Sequence, residues 1–145
     1  MSPVELGLRR AFLALVVASA LGACSELALI GHTESRVQLL PFGLAALGTL
    51  AAVGVWVSPS KNMLRGLQGA MTVVALGGLF GIWEHLEHNY SFEAEIRPAA
   101  STIELVTQAI FGASPALAPG MFLVMAAMGF AAAWRHPAGI EEAAP

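Results

Sequence analysis

The sequence predicts an all-α integral membrane protein: four transmembrane helices, at about 11–30, 37–57, 66–84 and 115–134, and a short extracytoplasmic amphipathic helix at about 101–111. Three observations carry this expectation. Of 145 residues, 57% are hydrophobic and only 12% charged, where a water-soluble domain carries about 25% charged residues. The apolar residues gather into four runs near the length of about 20 residues, with about 17 sufficient, that a helix needs to span a bilayer. Hydrophobicity is also nearly uniform around each run, which leaves no water-facing side. No polar linker divides the chain, so residues 1–145 read as a single four-helix domain.

The first run, 11–30, is interrupted only by Glu26. The second, 37–57, follows a very short polar turn, and Pro41 is the expected start of its helix, because proline suits the first helical turn. The third begins GLQGAMTVVALGGLFGIW and is free of charge through Trp83. The fourth, PALAPGMFLVMAAMGFAAAW, has Ser114 and Pro115 as its expected cap and first helical residue. Between the third and fourth runs, Arg97-Pro98 breaks any helix, and Ser101 with Glu104 fits a capping box. Ile103, Leu105, Val106, Ile110 and Phe111 follow at roughly helical spacing, as in a helix lying on the membrane surface or over the bundle mouth.

Charge sets an expected orientation. Arg9, Arg10, Lys61, Arg65 and Arg135 fall on one side of this topology, and only Arg36 and Arg97 on the other. The positive-inside bias then puts the chain in the inner membrane with both termini cytoplasmic and the 31–36 and 84–114 connections periplasmic. Trp56, Trp83 and Trp134 sit at expected span ends, where indoles anchor at the interface. A competing reading is processing at Leu21-Gly22-Ala23-Cys24, which resembles a bacterial lipoprotein cleavage box. Its use would remove the first span and lipidate Cys24, yet the following SELALIG is more apolar than the usual tether. Otherwise Cys24 is a small packing residue.

The chemistry concentrates on the outer side. His32, His85 and His88 lie there, with seven of the carboxylates. Glu26 stands about 6 Å below the end of its apolar run by helical rise, where an ionised carboxylate needs protein, water or a partner around it. Ala18, Gly22 and Glu26 share one helix face, as do Gly77, Gly81 and His85, and small residues at that spacing allow close helix approach. If the two faces meet, Glu26 and His85 reach similar depth. His85 and His88, three apart, can share a face, and His32 can close the site. Glutamate with neutral imidazole suits zinc, iron, manganese or copper. The expected metal ligands are therefore Glu26, His32, His85 and His88, with Glu84 or Glu87 as a further ligand or an orienting partner.

Bland readings stand beside this one. The same glutamates and histidines can solvate a helix end at the headgroups, with Glu26 bonded to Ser25 or a neighbouring helix. Asn89 with Tyr90 suits the end of the third helix. Met121, Met125 and Met128 form a stripe that suits packing better than copper. EHLEH is not the HExxH order of zinc peptidases, and the paired Glu-x-x-His motifs of ferritin-like di-metal bundles are absent. There is no phosphate loop, nucleophile elbow or CxxC pair, and a net charge of −3 gives no footprint for nucleic acid. Two functions remain. One is a metal-binding, redox-linked membrane protein with residues 92–111 restricting access. The other is a non-catalytic accessory or assembly subunit that binds a larger membrane complex through its small-residue face and long outer loop. Its partners are the lipid bilayer and a membrane protein or further copies of itself.

Overall fold

The computed structural model describes residues 1–112 and 114–140, and every regular element in them is helical. The order is α1 (Pro3–Leu29), α2 (Arg36–Val57), α3 (Lys61–Ile96), α4 (Thr102–Ile110), α5 (Gly120–Ala133) and α6 (Pro137–Ile140). Helix starts are set by local chemistry. Ser2, Ser35 and Ser101 each accept the backbone N–H three residues on, and Glu5, Gln38 and Glu104 reciprocate to the cap backbone. These capping boxes satisfy donors that a helix start otherwise leaves unpaired. Ser35 therefore starts α2, and Pro41 lies inside the helix rather than at its start. Its missing N–H leaves the Val37 carbonyl without an intrahelical bond, yet the helix continues through it.

The expected count of four transmembrane helices is corrected. Among the described residues, three helices are long and apolar enough to cross a membrane: α1, α2 and α3. The fourth apolar run forms a helix of only 14 residues, about 21 Å at 1.5 Å per residue, below the span of about 17 residues. Its first part, residues 116–119, is a turn. Pro119, four residues after Pro115, has no N–H to donate to the Pro115 carbonyl, and its ring crowds that carbonyl in a helix, which favours the turn. That carbonyl instead accepts Ala118 N–H at 3.0 Å and approaches a His85 ring nitrogen at 2.9 Å. The expected Ser114–Pro115 cap is not formed, and Pro119 precedes the first helical residue without a side-chain cap. The third helix also differs, running to Ile96 rather than ending near 84. Residues 84–96 thus carry it about 20 Å past Trp83.

Helices α1, α2, α3 and α5 form the bundle. α1 packs on α2 and α5, and α3 packs on α2, α4, α5 and α6. Leu67, Met71, Val74, Val16 and Met125 are its largest fully buried side chains. Met125 is thus core and Met128 packs against that core, while Met121 is exposed, so the packing reading of the methionine stripe holds for two of its three residues. Cys24 also packs against the core.

The expected meeting of the two small-residue faces does not occur. A Cβ at Gly77 would meet Leu44 of α2, and one at Gly81 would lie 2.8 Å from Pro119 Cβ. A Cβ at Gly22 would meet nothing within 4 Å. α1 packs on α2 and α5 instead, which leaves Ala18, Gly22 and Glu26 together on an exposed face.

The bundle has chemically distinct ends. At one, Arg9 Nη1 donates to the carbonyls of Ala132 at 2.8 Å and Trp134 at 2.7 Å, and Nη2 to that of Arg135 at 3.3 Å. This fastens the start of α1 to the end of α5. Arg10 lies over the Trp56 ring, 5.5 Å from its centroid, and Lys61, Arg65 and Arg135 border one cavity nearby. The other end holds the α1–α2 turn, the extension of α3, and α4.

Candidate functional site

The site follows from a line on α3. Gly81, His85, Asn89 and Glu93 recur every four residues and so share a helix face. Gly81 meets Pro119, His85 meets Pro115, and Asn89 meets the chain between α4 and the 116–119 turn. Asn89, 2% exposed, donates through Nδ2 to the carbonyls of Ala109 at 2.8 Å and Ser114 at 2.7 Å. Its Oδ1 accepts Ser114 N–H at 3.1 Å. A Cβ at Gly112 would lie 2.5 Å from Asn89 Cγ, so only glycine lets the chain cross this amide. Asn89 is therefore a clamp inside α3, not the end of the helix. Buried Glu93 lies 3.2 Å from Arg97 Nε, within ion-pair range. The same Glu93 oxygen lacks an aligned hydrogen bond, so the contact is electrostatic rather than directional.

His85 is the best-placed chemical group. Its Nδ1 stands 2.9 Å from the Pro115 carbonyl, which can only accept, so Nδ1 carries a proton, and in the neutral ring Nε2 keeps its lone pair. Metal-bound histidines commonly have this arrangement, one nitrogen held by a carbonyl and the other free to ligate. His32, half-buried in the α1–α2 turn, is close enough to His85 to feel it. Burial pushes the His32 pKa below its ordinary 6.5, and the neighbouring His85 charge adds to that shift.

The other expected ligands are scattered around these two histidines. Glu26 is exposed, and its side chain has no hydrogen-bond or ion-pair partner among the described residues. Ser25 donates to the Leu21 carbonyl at 2.8 Å rather than to Glu26. Glu84 is half-buried, and His88 is exposed. Glu87 is also exposed and accepts Ser91 Oγ–H at 3.0 Å. Among the described residues, no three His, Cys, Asp or Glu side chains form a group that could hold a metal ion.

α4 forms the floor of this end. Leu105 and Ala109 are buried, while Ile103 and Phe111 are 80% and 82% exposed. Val106, Ile110, Phe92 and Ile96 are exposed as well. At Glu104, hydrogen bonds from the Ser101 backbone and then its hydroxyl hold the carboxyl below its ordinary range.

No protein-family model, curated protein or solved structure matches this chain. It is a small all-α protein whose several apolar, membrane-length helices fit a multi-pass membrane protein.

Proposed function

We propose that this chain is an accessory or assembly subunit of a larger membrane complex, docking a partner helix along the Ala18–Gly22–Glu26 face of α1. The supporting observation is Glu26, an exposed side chain within a candidate span, without a partner among the described residues. An ionised carboxylate at the centre of a span costs roughly 3 kcal/mol, and less this close to the end of α1, where it can reach towards the headgroups. A partner helix bearing a donor removes that cost, and Ala18 and Gly22 let its backbone come close. The apolar surface of Ile103, Val106, Ile110 and Phe111, outside the three candidate spans, gives the partner a second foothold. In the proposed orientation the basic end faces the cytoplasm of a bacterial inner membrane and the histidine end the periplasm, by the positive-inside bias.

The test is co-purification from native membranes in mild detergent. The wild-type chain comigrates with a different, larger membrane protein. Gly22→Leu, which fills open space in the isolated chain, abolishes comigration without unfolding it. Wild-type chain that leaves the membrane alone, or only with copies of itself, contradicts the proposal.

The His85 ring, held at Nδ1 by the Pro115 carbonyl and near enough to His32 to lower its pKa, favours a second reading, a transition-metal ion held by these imidazoles. Glu26, Glu84, Glu87 or His88 would complete its shell after side-chain rearrangement, and redox chemistry would depend on which of zinc, iron, manganese or copper is bound. Near-stoichiometric metal in purified protein, lost in His85→Ala and His32→Ala, supports that reading. Metal-free protein in repeated preparations removes it.

A further inference from the structure

The basic end carries a feature that the docking face does not use. A cavity of about 220 Å3 lies between the start of α3 and the turn after α5, with Lys61, Arg65, Gln68, Arg135, His136 and Gly139 in its wall. Arg65 and Arg135 are exposed, and neither guanidinium has an ion-pair or hydrogen-bond partner among the described residues. His136, by contrast, is buried. Its Nδ1 accepts Ala138 N–H at 3.2 Å, which in the neutral ring puts the proton on Nε2 and makes that nitrogen a donor.

The backbone here is also held in an uncommon shape. Arg135 has φ 46°, the only positive φ outside glycine among the described residues. A long side chain rarely adopts this region and needs surrounding structure to hold it there. Arg9 supplies that structure by bonding the carbonyls of Ala132, Trp134 and Arg135. Arg9 is thus occupied with backbone, and its grip sets where the Arg135 guanidinium starts. Exposed Trp56 and Trp134 mark the same end as headgroup level.

We propose that this cavity binds a phosphate group, that of an anionic phospholipid headgroup in the adjoining leaflet. The Arg65 and Arg135 guanidiniums, without a partner among the described residues, present planar forks that match phosphate oxygens. The imidazole N–H and the Gln68 amide supply further donors, and basic pockets between membrane helices are suited to such headgroups. The cavity lies at the opposite end from His32 and His85 and does not depend on the docking reading.

The test uses the full chain, delipidated in neutral detergent, with bound lipid counted by native mass spectrometry. Phosphatidylglycerol, phosphatidylcholine and inorganic phosphate are titrated separately. Phosphatidylglycerol should bind at about one molecule per chain and at least about tenfold more tightly than phosphatidylcholine. Arg65→Gln should weaken it roughly fivefold and Arg65→Gln with Arg135→Gln roughly 25-fold, from the usual contribution of a basic residue at an anionic surface. Arg36→Gln with Arg97→Gln, at the other end, should leave it unchanged. Because Arg135 occupies a strained turn, Arg65→Gln alone decides the result if the double variant melts early. Inorganic phosphate that displaces the lipid and binds with the same dependence on Arg65 supports the phosphate site and assigns its source to solution. Equal binding of the two lipids, or binding indifferent to Arg65→Gln, overturns the proposal.

Discussion

Replacing Asn89 with alanine should release the clamp that holds α4 and the following chain against α3. Three hydrogen bonds are lost at once: Nδ2 to the Ala109 and Ser114 carbonyls, and Ser114 N–H to Oδ1. At a net contribution of about 1 kcal/mol each, the cost is about 3 kcal/mol. Ala109 keeps one partner, since its carbonyl also accepts Gly112 N–H at 3.4 Å, so the two groups of Ser114 carry most of the penalty. The loss should be local. Hydrogen exchange of the full chain in detergent should show residues 102–112 opening about 100-fold more often, since 1.4 kcal/mol is tenfold in an equilibrium constant. Protection in α1 and α2 should change little. Asn89→Asp should be at least as harmful, because it keeps the acceptor for Ser114 N–H and points a second carboxylate oxygen at two carbonyls. Protection of 102–112 unchanged in Asn89→Ala, with stability within about 0.5 kcal/mol of wild type as for an ordinary surface change, would refute the clamp.

Three further outcomes follow from the packing and the charges. Gly81→Ala should lower stability by about 1–3 kcal/mol, because its Cβ overpacks the rigid ring of Pro119; Gly22→Ala, facing open space, should be neutral in the isolated chain, and thermal midpoints in detergent compare the two. Arg9→Gln should cost about 1.5–3 kcal/mol for its charged hydrogen bonds and loosen the 132–135 turn, with protease sensitivity after α5 as the readout. His32 and His136 are both held below the ordinary 6.5, chiefly by burial and then by His85 and Arg9 respectively. Between those lowered values and 6.5 the unfolded chain binds more protons than the folded one, so stability falls as pH drops through that window and is fully present above it. His85→Ala should raise the His32 pKa in an NMR titration without restoring 6.5, and a midpoint that rises as pH falls below 6.5 would contradict the assignment.

Much of the fold was legible because it rests on strong local signals. Uniform apolar runs gave most of α1 and α2, Arg97-Pro98 broke the outer segment where α3 stops, well past the expected end near 84, and Ser101 with Glu104 started the amphipathic helix, found at Thr102–Ile110. The fourth run misled because its hydropathy is continuous while its backbone chemistry is not. Two prolines four apart, at 115 and 119, remove the bond that would have continued the helix. The third helix runs past its expected end because the polar residues after Trp83 resemble a loop in sequence, whereas the tertiary hydrogen bonds of Asn89 hold the extension against the chain after α4. The four-residue recurrence of Gly81, His85, Asn89 and Glu93 was the available signal. The pairing of the small-residue faces failed because spacing identifies a face but not its neighbour. In this bundle the Gly77–Gly81 face is filled by Leu44 and Pro119, so Glu26 and its neighbours point outward.

The most direct measurement is cross-linking in native membranes from a photoreactive residue placed at position 29, an exposed leucine three residues from Glu26 that leaves Gly22 intact, followed by identification of the product. The account predicts a specific adduct to one larger membrane protein, lost when Glu26→Leu is added. A probe that labels lipid alone, or joins only copies of this chain, would contradict it.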